Sequence, residues 1–83
     1  MLTVSVVSPE RTLYEGEAES IVAPAFDGQV GILTNHAPML TLLGSGELRL
    51  SASSGEKKFT VAGGFLEVAD NRVRVVTERA EGA

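Results

Sequence analysis

The sequence predicts an all-β fold, a β-sandwich or flattened barrel, on three observations. Short stretches alternate apolar and polar side chains with a period of two, the signature of strands with one buried face. Turn-forming groups such as Ser8-Pro9, Ser53-Ser54-Gly55, Gly63-Gly64 and Asp70-Asn71 fall between those stretches. No window longer than a turn or two carries an apolar stripe at i, i+3, i+4 and i+7, so no helix is expected. Many short strands with one apolar face each are buried most simply by packing sheet on sheet.

The first strand is expected over residues 2–7, where Leu2, Val4 and Val6 alternate with Thr3, Ser5 and Val7, and Ser8-Pro9 ends it because proline has no N–H for a ladder. A short extended piece at residues 11–14 leads into a turn at Glu15-Gly16. A further strand over residues 17–23 is closed by Pro24. Residues 27–50 are different: glycines, Pro38 and the only histidine crowd a segment whose first two thirds have no clear period. Within it, Met39-Leu40-Thr41-Leu42-Leu43 is too short for an independent helix. It reads as a buried strand or, together with Ile32 or Leu33, as an exposed apolar patch for a partner, and a strand has two faces.

From Gly46 the alternation is clean, with Leu48, Leu50 and Ala52 opposite Glu47, Arg49 and Ser51. A polar turn at residues 53–56 joins this strand to Lys57-Lys58-Phe59-Thr60-Val61-Ala62 as a hairpin. Gly63-Gly64 breaks the run, residues 65–69 resume it, Asp70-Asn71 turns the chain, and residues 72–77 form the last strand with Arg72 and Arg74 toward solvent. Residues 78–83 read as a frayed polar tail.

Composition narrows the function. A chain of 83 residues is one domain, able to bury roughly 60 to 65% of its unfolded surface. With no cysteine there is no disulfide framework and no thiolate metal site, which fits an intracellular compartment. A net charge of −4, with only Lys57-Lys58 and Arg72/Arg74 as local basic pairs, argues against nucleic acid. No apolar run approaches the roughly 20 residues of a membrane-spanning helix, and the N-terminal residues lack the basic start of a signal peptide.

Catalytic chemistry has little to work with. His36 is the only histidine, Gly44-Ser45-Gly46 lacks the strand-turn-helix setting of a nucleophile elbow, and one histidine without cysteine leaves too few ligands for a typical zinc site. Asp27 and His36 could in principle pair, but the glycines between them suggest two separate loop tips. Gly28, Gly31, Gly44 and Gly46 precede no P-loop lysine and no helix, so they read as turn glycines and not as a phosphate cradle. Asn35 suits a left-handed position, and Pro38 keeps Ala37 extended. His36 reads as a loop histidine bonded to backbone. No catalytic residue, metal or cofactor is expected.

Three motifs carry a resemblance: Val6-Val7-Ser8-Pro9-Glu10-Arg11; Asp27-Gly28-Gln29-Val30-Gly31-Ile32-Leu33 running into Asn35-His36-Ala37-Pro38-Met39-Leu40-Thr41; and Gly63-Gly64-Phe65-Leu66-Glu67-Val68. In this order and spacing, over nearly the whole chain, the sequence resembles the N-terminal domain of the epsilon subunit of F-type ATP synthases. The resemblance implies a ten-stranded β-sandwich of two sheets and a non-catalytic rotor subunit of the central stalk. It further implies a partner in the gamma subunit on one side and in the c-ring at one end, coupling proton flow to ATP synthesis. Asp27, Gly28 and Gln29 match the loop that faces the c-ring in that family. Ser8, His36 and Thr41 match positions facing gamma, and this suggests the same partner for Met39 and Leu40.

The implied location is peripheral, on the cytoplasmic face of a bacterial inner membrane or its organellar equivalent, with the isolated chain a monomer. Two departures stand out. Gln29 occupies a commonly acidic position, leaving any ion pair to Asp27, and Thr34-Asn35 replaces a frequent Pro-Gly. Family members usually continue into a pair of C-terminal helices that can inhibit ATP hydrolysis and in some cases bind ATP. If the chain is complete at Ala83, neither property is expected. The competing expectation is a stand-alone β-sandwich that binds a soluble protein or carbohydrate.

Overall fold

The computed structural model describes residues 1–82, which form strands β1 (Leu2–Val7), β2 (Thr12–Ala18), β3 (Ser20–Ala25), β4 (Gly28–Leu33), β5 (Met39–Leu42), β6 (Ser45–Ala52), β7 (Gly55–Ala69) and β8 (Arg72–Gly82). They hydrogen-bond in the order β2-β1-β8-β7-β6-β3-β4, with β5 added beside β7. All neighbours are antiparallel except β1 and β8, which run parallel.

Two long strands turn this one sheet into two layers. Residues 55–62 of β7 pair with β6, whereas its residues 65–68 pair with β5. Strand β8 follows: residues 72–77 lie beside the second half of β7, with residues 72–76 also against β1, and residues 79–82 run beside residues 59–62 of β7. One layer is therefore β2, β1, the first half of β8, the second half of β7, and β5. The other is the remaining halves of β8 and β7 with β6, β3 and β4. Leu2, Val4, Val6, Leu66, Val68, Val73 and Val75 from the first layer meet Ile21, Ala23, Ile32, Leu48, Leu50, Phe59 and Val61 from the second in a single buried cluster. The shortest dimension of the molecule is 19 Å, as expected for two sheets packed about 10 Å apart with their outward side chains.

The bend depends on the two glycines. Gly63 and Gly64 have φ of 73° and 105°, and a Cβ on Gly64 would stand 1.9 Å from the Val76 carbonyl oxygen. Only a residue without a side chain lets β8 approach there. Thr77, the one buried polar residue among those described, secures the other strand of the bend by donating its hydroxyl to the Arg79 carbonyl at 2.7 Å.

The expected ten strands in two sheets are corrected to eight in one hydrogen-bonded sheet among the described residues. The reason is that β7 and β8 carry their ladder around the bend, so Gly63-Gly64 curves a strand instead of breaking it. The polar tail is corrected as well. Residues 79–82 pair with β7, Thr60 opposite Glu81 and Ala62 opposite Arg79, because the edge of β7 away from β6 needs a backbone partner, and Ala80 packs against the core. Ala83 lies outside the described residues. Glu15-Gly16 is no turn, since β2 continues through it opposite Val4 and Ser5. The corner falls at Glu19, whose N–H donates to the Ser51 carbonyl. Pro24 lies inside β3, opposite Gln29, and its carbonyl accepts from Gly44 N–H at 2.8 Å.

Candidate functional site

Two surfaces hold the residues singled out in the sequence. The first is the β3–β4 hairpin tip. Ala25 pairs with Gly28, Phe26 and Asp27 form the turn, and Gly28 takes a φ of 134° that a side-chain-bearing residue rarely adopts. Phe26 N–H donates to the Leu42 carbonyl at 3.0 Å, and an Ala25–Leu43 bridge seats the tip on the end of β5. Asp27, Gly28 and Gln29 are all exposed, and Phe26 beside them is 66% exposed. The three predicted tip residues are thus brought together in one projection.

The second surface is the outer face of the layer containing β1 and β5. Strand register lines up Leu42, Phe65, Val76 and Val7 in one row across four strands, and Leu40, Glu67, Arg74 and Ser5 in the next. Leu40 and Leu42 are 70% and 62% exposed. The Arg74 guanidinium carbon stands 6.0 Å from the centre of the Phe65 ring, which a cation holds by its quadrupole. The result is a contiguous apolar row, exposed at Leu42 and half-buried at Phe65, Val76 and Val7, with a charged margin at Glu67 and Arg74.

The predicted contacts Ser8, His36, Met39, Leu40 and Thr41 do not share this face equally. Leu40 stands on it. Met39 and Thr41 belong to the opposite side of β5, where both are half-buried and Met39 packs against the core. Ser8 lies one residue past Val7 in the β1–β2 turn, at the same end of the sandwich as the hairpin tip. Its N–H and hydroxyl both meet the Arg11 carbonyl, at 2.9 and 3.2 Å. His36 is at the other end, in the loop between β4 and β5. Its N–H donates to the Leu33 carbonyl and its Nδ1 donates to the Ala37 carbonyl at 2.7 Å, so the proton of a neutral ring sits on Nδ1.

A clasp fixes that loop. Asn35, at φ 67°, donates its backbone N–H to Asn71 Oδ1, and Asn71 Nδ2 donates to Asn35 Oδ1 at 3.2 Å. The Asn71 carbonyl in turn accepts from Thr3 N–H at 2.8 Å, so the β4–β5 loop, the β7–β8 turn and the start of β1 are joined.

Asp27 and His36 form no dyad. A six-residue strand stands between them, on the order of 17 to 20 Å. Among the described residues no group of three His, Cys, Asp or Glu side chains is placed to hold a metal ion. The apolar patch expected to include Leu33 or Ile32 is also divided. Ile32 is buried, and Leu33, though 64% exposed, faces outward from the other layer. Sequence reasoning held Leu42 only as a member of the apolar run 39–43 and missed Phe65, Val76 and Val7. Only the alternation of 40 and 42 against 39 and 41 could have pointed to part of the row, because the rest is set by pairing between distant strands.

Residues 1–83 match the family described as "ATP synthase, Delta/Epsilon chain, beta-sandwich domain". The ATP synthase epsilon chain of Leptospira borgpetersenii is 48% identical over 77 residues, 93% of this chain and 61% of that one. That of Syntrophomonas wolfei is 47% identical over 79 residues, 94% of this chain and 58% of that one. The chain thus spans about six tenths of the length of these relatives. A chain in the cryo-EM structure of the Euglena gracilis mitochondrial ATP synthase, OSCP/F1/c-ring, superposes with a TM-score of 0.89 at 21% identity, covering 98% of this chain and 52% of that chain. One in the Tetrahymena thermophila mitochondrial ATP synthase central stalk/c-ring structure gives 0.83 at 20% identity, covering 98% and 66%. These two likenesses show the fold. With the family pattern matched from the first residue to the last, and relatives near half identity over nearly all of it, the chain belongs to the ATP synthase delta/epsilon family and comprises its β-sandwich domain.

Proposed function

We propose that this chain is a non-catalytic rotor subunit of an F-type ATP synthase, linking the gamma subunit to the c-ring so that proton flow is coupled to ATP synthesis. The observation that carries this reading is the apolar row Leu42–Phe65–Val76–Val7, aligned across four strands, with Leu42 exposed and the other three half-buried. Burying it against a partner removes apolar surface from water, at about 25 cal/mol per Å². In this reading gamma lies along that face, contacted by Leu40, with Ser8 and His36 marking its two ends and Met39 and Thr41 at its β5 edge. The tip at Asp27, Gly28 and Gln29 meets the c-ring.

The mechanism is rigid connection. A load applied at the hairpin tip passes through the Phe26–Leu42 and Gly44–Pro24 hydrogen bonds into β5 and β6, and through the β7–β8 ladder, which keeps one register on both sides of the bend, into the outer face. Jigsaw packing of one core leaves little compliance in between. An Asp27 pair with a basic c-ring residue, exposed at the rim, contributes only about 0 to 1 kcal/mol, so it serves register more than affinity. No bond is made or broken in the domain. Membrane association comes through the assembly, on the cytoplasmic face of a bacterial membrane or its organellar equivalent, and no helix among the described residues is long and apolar enough to cross a bilayer. The test is reconstitution of gamma and c-ring with and without the chain. Loss of assembly and of proton-coupled ATP synthesis without it is expected, and unchanged assembly and synthesis would overturn the reading.

A further inference from the structure

We propose that Asp27 is a site of spontaneous isomerisation to isoaspartate, a backbone modification confined to the β3–β4 tip. The reaction needs an aspartate whose side-chain carboxyl can be reached by the backbone nitrogen of the next residue. What normally obstructs this is the side chain on that next residue and the rigidity of the chain. At Asp27 the next residue is Gly28, which has no side chain, and no heavy atom lies within 4 Å of where its Cβ would stand. Both residues are exposed, at the end of a ladder whose terminal pair is Ala25–Gly28, where fraying costs least.

The chemistry balances with water alone. The Gly28 nitrogen, having lost its proton to solvent, attacks Cγ of the protonated Asp27 carboxyl. An N–C bond forms, the C–OH bond breaks, and one water leaves, giving a five-membered succinimide. One water then adds back. Opening at the side-chain carbonyl restores aspartate, while opening at the backbone carbonyl leaves the chain running through the former side-chain carbon. The product has unchanged mass, one extra methylene in the backbone, and its free carboxylate attached directly to Cα.

The other aspartate supplies an internal control. Asp70 is also in a two-residue turn, but it is followed by Asn71, whose side chain is held by Asn35 and whose carbonyl accepts from Thr3 N–H. The residue that must move at Asp27 is held only by the terminal ladder pair with Ala25, whereas the one at Asp70 is tied to two other segments. An added methylene at the tip displaces Phe26 from its bond to the Leu42 carbonyl and re-aims the carboxylate. Modification therefore alters the surface assigned above to the c-ring, but its occurrence does not depend on that assignment.

The test is to age the folded chain at physiological temperature and neutral pH, then digest it and map isoaspartate by fragmentation mass spectrometry and isoaspartyl methyltransferase labelling. A free peptide spanning residues 25–30 runs beside it as a clock. The expected result is isoaspartate at residue 27 and not at residue 70, forming within about tenfold of the peptide's rate. Asp27→Glu, whose ring would have six members, should abolish it, and Asp27→Asn should speed it with a mass gain from deamidation. Absence of isoaspartate at residue 27 after the peptide has converted, or equal formation at residue 70, overturns the proposal.

Discussion

Replacing Gly64 with alanine tests the account of the bend most directly. The new Cβ would lie 1.9 Å from the Val76 carbonyl oxygen, 2.7 Å from Thr77 Cα and 2.8 Å from Val76 C. All three are backbone atoms of β8, so no rotamer change can clear them. The residue must also hold φ at 105°, a handedness that costs a non-glycine residue about 1 to 2 kcal/mol. Forcing the strands apart adds roughly 1 to 3 kcal/mol for overpacking and about 1 kcal/mol for each ladder hydrogen bond lost. The sum is about 3 to 6 kcal/mol, against roughly 4 to 12 kcal/mol of total stability for a domain of this length. Urea denaturation followed by circular dichroism should show a chain near the edge of folding, and calorimetry a melting temperature lower by at least about 12 °C. Gly31→Ala is the control. Its Cβ meets nothing within 4 Å, so it should leave stability unchanged or raise it by up to about 1 kcal/mol. A Gly64→Ala chain within about 1 kcal/mol of the parent would refute the reasoning.

Three further outcomes follow from the surfaces. Leu40→Ser with Leu42→Ser removes exposed apolar area, so stability should change by less than about 1 kcal/mol while binding to gamma, measured by titration calorimetry, weakens by at least tenfold, equivalent to about 1.4 kcal/mol; equal binding would remove the outer face from the interface. Asp27→Asn should weaken c-ring attachment by no more than about fivefold, since an exposed rim pair is worth at most about 1 kcal/mol, and complete loss of attachment in a pull-down would contradict that. Asn71 has a φ of 60° and also makes the clasp. Asn71→Ala should therefore destabilise more than Asn71→Gly by about 1 kcal/mol, whereas both should speed hydrogen exchange at the His36 amide to the same degree.

The hairpin tip was named through the family resemblance, while the residues themselves gave only turn glycines and a loop tip. Its shape is nonetheless local, since Asp27-Gly28 is a turn signal and a short hairpin brings its three residues together without help from the rest of the fold. The outer face was legible only in part. Leu40 came from an apolar run in the sequence, but Met39 and Thr41, its neighbours in that run, turn inward, and the larger part of the face comes from β7, β8 and β1. The alternation at 65–68 and 72–76 reveals two faces per strand without saying which outward residues stand side by side. That depends on registers such as Phe65 with Val76 and Val76 with Val7, set between segments far apart in the chain.

The sequence by itself determined the all-β class, the buried faces of the cleanly alternating strands (Leu2, Val4 and Val6; Leu48 and Leu50; Phe59 and Val61; Val73 and Val75) and the turns at Ser8-Pro9, Ser53-Ser54 and Asp70-Asn71, because period-two burial and the φ requirements of proline and asparagine act within a few residues. The tertiary structure alone decided that Gly63-Gly64 bends one continuous sheet into two layers instead of ending a strand. It likewise paired the polar residues 79–81 with β7 and aligned Leu42, Phe65, Val76 and Val7 in one row. The physical reason is common to all three: a backbone N–H or C=O carries no side-chain label, so the partner that satisfies it is chosen by which edges the collapsed chain leaves open.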